Sequence, residues 1–159
     1  MTKLTHVDEQ GNARMVDVAD KPITDRLAIA EGWITIGAEA MALVLSRTAK
    51  KGDVLATAQL AGIQGAKRAS DLIPLCHPLP LTGVDVIVTP DPETERISVR
   101  ATARTHWRTG VEMEALAAVS AALLTVYDML KAVDKGMEMG GVRLVEKRGG
   151  RSGTWTRRP

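Results

Sequence analysis

Phenylalanine is missing from this chain, and the other aromatic residues amount to three Trp and one Tyr. A core without aromatic bulk must be aliphatic and alanine-rich, with helices packed closely. The same shortage argues against recognition of RNA, where sheets stack bases on aromatic rings. Cysteine occurs once, which rules out an intrachain disulfide framework and fits a reducing compartment. No uninterrupted apolar run reaches the ~20 residues of a membrane span, and the N-terminal MTKLTHVDEQG has no apolar h-region. Net charge is small as well: 21 Lys and Arg against 19 Asp and Glu give +2, too little for a body that holds nucleic acid by charge. For 159 residues the expectation is one soluble, cytoplasmic domain with neither a membrane nor a nucleic-acid partner.

What is present is strongly patterned. Residues 1–25 are polar and turn-rich and read as an N-terminal arm, with a short strand over ARMVDV. RLAIAEGWITI alternates in part and predicts a strand. GAEAMALVLSRTA predicts a helix that KKGD breaks, and Asp53 stands as N-cap for a second helix, VLATAQLAGIQGAKRA. Pro74, Pro78 and Pro80 end that helix and force an extended loop. Val84, Val86 and Val88 share one face of LTGVDVIVTP, and Ile97, Val99, Ala101 and Ala103 share one face of ERISVRATART; PDPET between them completes a hairpin. GVEMEALAAVSAALLTVYDMLKAVD predicts a long helix with an apolar stripe at Leu116, Val119, Leu123, Val126 and Leu130. MGGVRLVEK closes as a strand.

Strand, helix pair, strand, strand, helix, strand is the order of a ferredoxin-like (split βαβ) α+β fold, an antiparallel sheet with helices on one face. Residues 26–153 make that single domain and 154–159 a basic tail. The uncovered sheet face needs water or a second subunit, and its mixed residues favour an oligomer.

Four groups of residues could carry chemistry. Cys76 and His77 sit between prolines in SDLIPLCHPLPL. Neighbours in an extended segment point opposite ways, so they make a poor nucleophilic dyad, and one Cys with three scattered His lacks metal-ligand spacing; no metal site is expected. Lys67, Arg68 and Asp71 end the second helix, either as cations favoured by its dipole or as a phosphate rim. Asp128, Lys131 and Lys135 share one sector of the long helix, a solvated ion pair or a proton-moving pair. Glu114 falls on nearly that sector, yet about 21 Å away along the axis. Finally, EKRGGRSG joins cations to glycines whose backbone N–H groups can approach an anion.

Taken together, KGDVLATAQLAGIQGAKRASDLIPLCHPLPL, TGVEMEALAAVSAALLTVYDMLKAVDK and VRLVEKRGGRSG closely resemble the cyclic pyranopterin monophosphate synthase family, the C proteins of molybdenum cofactor biosynthesis. The resemblance runs from about Leu4 to Gly153. It implies a ferredoxin-like homohexamer, a trimer of dimers with active sites at the dimer interface. The implied substrate is 3′,8-cyclo-7,8-dihydroguanosine 5′-triphosphate, supplied by a radical-SAM enzyme and rearranged with loss of pyrophosphate. Asp128 with Lys131 matches the catalytic residues; Leu75, Cys76, His77, Met113 and Glu114 match the substrate-binding stretches; Lys51, Lys67, Glu112 and Lys147 match further pocket positions. No cofactor is implied, although Mg²⁺ could accompany the triphosphate. Arg151 stands where relatives often carry Lys. The rival expectation is a nucleotide-sensing module without turnover.

Overall fold

Alternation along two strands builds the floor of the core. In β1 (Thr24–Thr35), Ala28, Ala30, Gly32 and Ile34 point to one side and are buried. In β3 (Arg96–Trp107), Ile97, Val99, Ala101 and Ala103 do the same. The strands pair antiparallel with Ala28 opposite Ala103, Ala30 opposite Ala101 and Ile34 opposite Ile97. A one-residue slip would turn every one of these side chains to the other face, so burial fixes the register. β2 (Leu81–Asp91) joins β3 as the expected hairpin, and β4 (Glu138–Arg148) pairs with the other side of β1.

The computed structural model describes Val7 and residues 10–158. Its sheet runs β2-β3-β1-β4, the ferredoxin-like order, and is extended by β5 (Trp155–Thr156) on the edge of β4. The six residues read as a basic tail therefore include a strand: the Arg157 amide donates to Val145 O at 2.8 Å and its Nε to Leu144 O at 2.8 Å. A two-residue strand carries no periodicity, which explains why pattern alone did not find it. The strand expected over ARMVDV is not formed; Ala13 makes a single bridge with Val7. The part of the arm that includes His6 lies outside the described residues.

One face of the sheet carries α1 (Ala38–Ser46), α2 (Val54–Lys67), the single turn α3 (Ala69–Leu72) and α4 (Glu112–Leu130). Asp53 caps α2 as its position suggests, accepting from the Ala56 amide at 3.0 Å. The aromatic-free core is resolved by small residues at the helix contact. A Cβ on Gly65 of α2 would stand 2.6 Å from Ala121 Cβ and 2.8 Å from Ala117 O of α4, so only glycine allows this approach. Val119, Leu123, Val126 and Leu130 of the expected stripe are buried, with Leu116 half-buried at its border. Length and composition alone would let α4 cross a membrane, but here its apolar side is the centre of the core. The helix is shorter than its pattern suggests. Beyond Leu130, the Asp134 carboxylate captures the Gly37 and Gly136 amides at 2.8 Å each, so Lys131 becomes the C-cap and Lys135 lies outside the helix.

Candidate active site

Apart from Lys67, the expected site residues gather at the two ends of α4. At its first turn, Glu112, Met113 and Glu114 meet the proline-bounded loop at Leu75, Cys76 and His77, enclosing a cleft of about 370 Å³. Glu114 is only 3% exposed. Its Oε1 accepts from the Cys76 thiol at 3.6 Å, while Oε2 is buried without a partner among the described residues. Burial first of all, then the charge of Glu112, pushes the Glu114 carboxyl above its usual range, outweighing its hydrogen bonds, which pull the other way. Burial and then the Glu114 charge raise Cys76 to about 11, so it is a protonated thiol and no nucleophile at neutral pH. Lys147, arriving on β4, bonds Glu112 Oε1 at 2.9 Å. The cleft thus offers acid groups suited to an N–H-rich edge of a ligand.

Part of the cleft wall comes from residues that sequence reasoning placed in the arm. Val16, Val18 and Lys21 line it, and His77 Nε2 lies 2.6 Å from Val16 O. A carbonyl only accepts, so Nε2 carries the proton, and the strap orients the imidazole. Nothing in the pattern of VDVADK marks these residues as functional; their role comes from a contact across sixty-one positions.

At the last turn of α4, Asp128 lies between two ammonium groups. Lys51, from the turn before α2, donates to Oδ2 at 2.7 Å and to the Asp128 carbonyl at 2.8 Å. Lys131 pairs with Oδ1 at 2.7 Å. Hydrogen bonds from Lys131 and then Lys51 hold the Asp128 carboxyl down at about 2, and the same contact raises Lys131. All three groups are exposed. None of them lines the cleft, and fourteen residues of helix separate Asp128 from Glu114, so the distance foreseen in the sequence persists within one chain. Lys67 joins neither group. It is exposed at the end of α2 and outside the cleft lining. Among the described residues no three His, Cys, Asp or Glu side chains gather as a metal site requires.

Fold and residues define an antiparallel α+β protein equipped to move protons on a small molecule. The chain belongs to the MoaC family, whose model matches residues 15–150. Cyclic pyranopterin monophosphate synthase of Cereibacter sphaeroides is 59% identical over 153 residues, 96% of this chain and 96% of its own length. The enzymes of the same name from Thermomicrobium roseum and Rhodospirillum rubrum are 57% and 58% identical, covering 99% and 96% of this chain and 95% and 92% of their own lengths.

Proposed function

We propose that this protein is a cytoplasmic lyase of molybdenum cofactor biosynthesis. It converts 3′,8-cyclo-7,8-dihydroguanosine 5′-triphosphate, supplied by a radical-SAM enzyme, to cyclic pyranopterin monophosphate and pyrophosphate. Relatives of that name match almost the whole chain. The observation that carries the chemical reading is Asp128, with each carboxylate oxygen 2.7 Å from a lysine ammonium. The lysines keep the carboxylate ionised, so that it is present as an acceptor, and stand as donors themselves. Glu112 and Glu114 hold the guanine-derived edge in the cleft, and the strap keeps His77 facing it. The reading calls for no resident cofactor; Mg²⁺ enters only with the triphosphate.

Since Glu114 and Asp128 lie about 21 Å apart along α4, one substrate meets both only if identical chains pair. In this proposal the working form is a hexamer, a trimer of dimers, with each site sharing the cleft end of one chain and the Asp128 end of another. Two features favour partnership: Leu60 and Leu124 stand 68% and 57% exposed on the helices, and the helix-free face of the sheet leaves Ile87 59% exposed.

The test supplies the cyclic dihydro-nucleotide and follows pyrophosphate release. Turnover by the wild type separates the lyase from a sensing module, which would bind without releasing pyrophosphate. Mixing inactive Asp128→Asn and Glu114→Gln chains after partial denaturation should regenerate part of the activity, because some pairs then hold one intact site. Refolded mixtures that assemble yet stay as inactive as the parents would remove the shared site.

A further inference from the structure

Asp134 is a carboxylate that the proposed chemistry leaves unused. It is half-buried just past the end of α4. Each of its oxygens takes one backbone amide at 2.8 Å, Oδ2 from Gly37 and Oδ1 from Gly136. Gly37 is the N-cap of α1. In a capping box, the carboxylate that accepts from the N-cap amide sits at the third helical position. Here that position is Ala40, which has no acceptor to offer. The carboxylate comes instead from ninety-seven positions away.

The importance of this bond lies in what it fastens. α1 begins at the Gly37 amide, and the turn that follows α1 carries Lys51 to Asp128. Few residues of α1 come near α4. Two polar bridges therefore span the gap: Asp134 to Gly37 at the start of α1, and Asp128 to Lys51 beyond its end.

Asp134 also belongs to the turn that carries Lys131. The Lys131 amide donates to Tyr127 O at 2.9 Å, and the Val133 and Asp134 amides both donate to Leu130 O, at 2.8 and 3.0 Å. Tyr127 Oη donates to Lys135 O at 3.3 Å. Both ammonium groups on Asp128 thus start from backbone that Asp134 holds, one through its own turn and one through α1. A lysine side chain is long and flexible, so a fixed backbone is what keeps each Nζ 2.7 Å from its oxygen.

We infer that Asp134 is a positioning residue. Resting on the proposed lyase reading, it sets the backbone from which Lys51 and Lys131 reach Asp128, and so the geometry of proton transfer, without touching the substrate. Its two oxygens serve two different segments, whereas an Asn side chain has an oxygen for only one of them.

Acetylation of lysines in the assembled protein, followed by mass spectrometry, reads this without turnover, because an amine held on a carboxylate is slow to acylate. In Asp134→Ala, Lys51 and Lys131 should react at least about threefold faster than in wild type, as an opposite charge moves away from each. Lys67, which is in neither bridge, should keep its rate. Asp134→Asn loses the charge but keeps one amide bond, so it should fall between. For pyrophosphate release, Asp134→Ala should lower kcat about 10- to 100-fold, the scale of a misplacement of about 1 Å. KM should stay within about twofold, because the interaction lost acts in the transition state. Asp134→Asn should recover part of kcat. In a Lys51→Gln background, Asp134→Ala should cost less than it does alone, since residues that act through one another are not additive. Circular dichroism and light scattering check folding and assembly, and Asp134→Asn carries the acetylation and coupling measurements if Asp134→Ala does not assemble. Unchanged acetylation of both lysines would overturn the positioning role, as would full additivity with Lys51→Gln. Equal acceleration in the two Asp134 variants would trace the effect to lost charge and overturn the fastening. If acetylation follows the expected order but wild type never releases pyrophosphate, the lyase reading falls and the fastening of the two lysines stands.

Discussion

Glu114 and Asp128 are carboxylic acids fourteen residues apart on one helix, and the fold treats them in opposite ways. Glu114 is enclosed, has one oxygen without a partner among the described residues, and is pushed toward its neutral form by burial. Asp128 is open to water, has a lysine on each oxygen, and is held ionised. Identical chemistry at the two ends of α4 thereby becomes two different tools: a carboxyl that can share a proton with a ligand and a carboxylate that can only accept one. Environments that push paired acids apart in this way are how proteins assign proton donor and acceptor. Position on the helix does the sorting. The first turn is roofed by the Cys76–His77 loop and the strap, whereas in the last turn Asp128 is on the solvent side, beside the buried Met129 and Leu130, and two lysines reach it.

The sharpest break of this contrast is Asp128→Asn. The amide keeps the shape and one acceptor but cannot take a proton. kcat for pyrophosphate release should fall about 10²- to 10⁴-fold, the usual range for a lost general base. Melting temperature should barely move, since exposed ion pairs add little to stability. A folded Asp128→Asn protein with wild-type kcat would remove Asp128 from the chemistry.

A second expectation probes the enclosed end. With Cys76 raised from 9.0 to about 11, its thiolate fraction at pH 8 is about 100-fold below that of an unperturbed thiol. Iodoacetamide should therefore modify Cys76 at least about 100-fold more slowly than a free cysteine peptide. Glu114→Gln should speed the reaction by deleting the neighbouring charge. Alkylation as fast as the free peptide would show that the Cys76–Glu114 enclosure is not closed in solution.

Much of this was legible in the chain because it rests on periodicity. Alternation gave the β2–β3 hairpin and the buried face of β3; the 3.6-residue stripe gave α4; prolines gave the loop that holds His77. The Asp128–Lys131 contact followed from i,i+3 spacing. Four features did not follow, and each depends on a contact between distant segments. Lys51 reaches Asp128 across seventy-seven positions. Val16 fixes His77 from a stretch with no pattern. Asp134 stops α4 early by capturing Gly37. Burial of Glu114 depends on a roof assembled from two separate stretches of chain. Charged residues carry no periodic signal of their own, so only the packed sheet and helices could say which carboxyl is open and which is closed.

The smallest expected effect, on folding stability, sharpens the same contrast. A buried carboxyl with a raised folded-state pKa holds its proton at pH values where the unfolded chain, near 4.5, has released it. Over that window the folded state binds more protons, so stability declines as pH rises through it. Asp128 has the opposite sign: its lowered pKa contributes stability above 3.8 that is lost as pH falls toward about 2. Glu114→Gln leaves Asp128 untouched and still offers a carbonyl to the Cys76 thiol, but has nothing to titrate. Relative to wild type, the variant should therefore gain stability between pH 4 and pH 8. Urea unfolding at both pH values, at one protein concentration so that assembly is held constant, measures the difference. A gap between the two proteins that stays the same at both pH values would mean that Glu114 ionises as freely as a surface carboxylate, and the distinction between the two ends of α4 would reduce to the lysines around Asp128 alone.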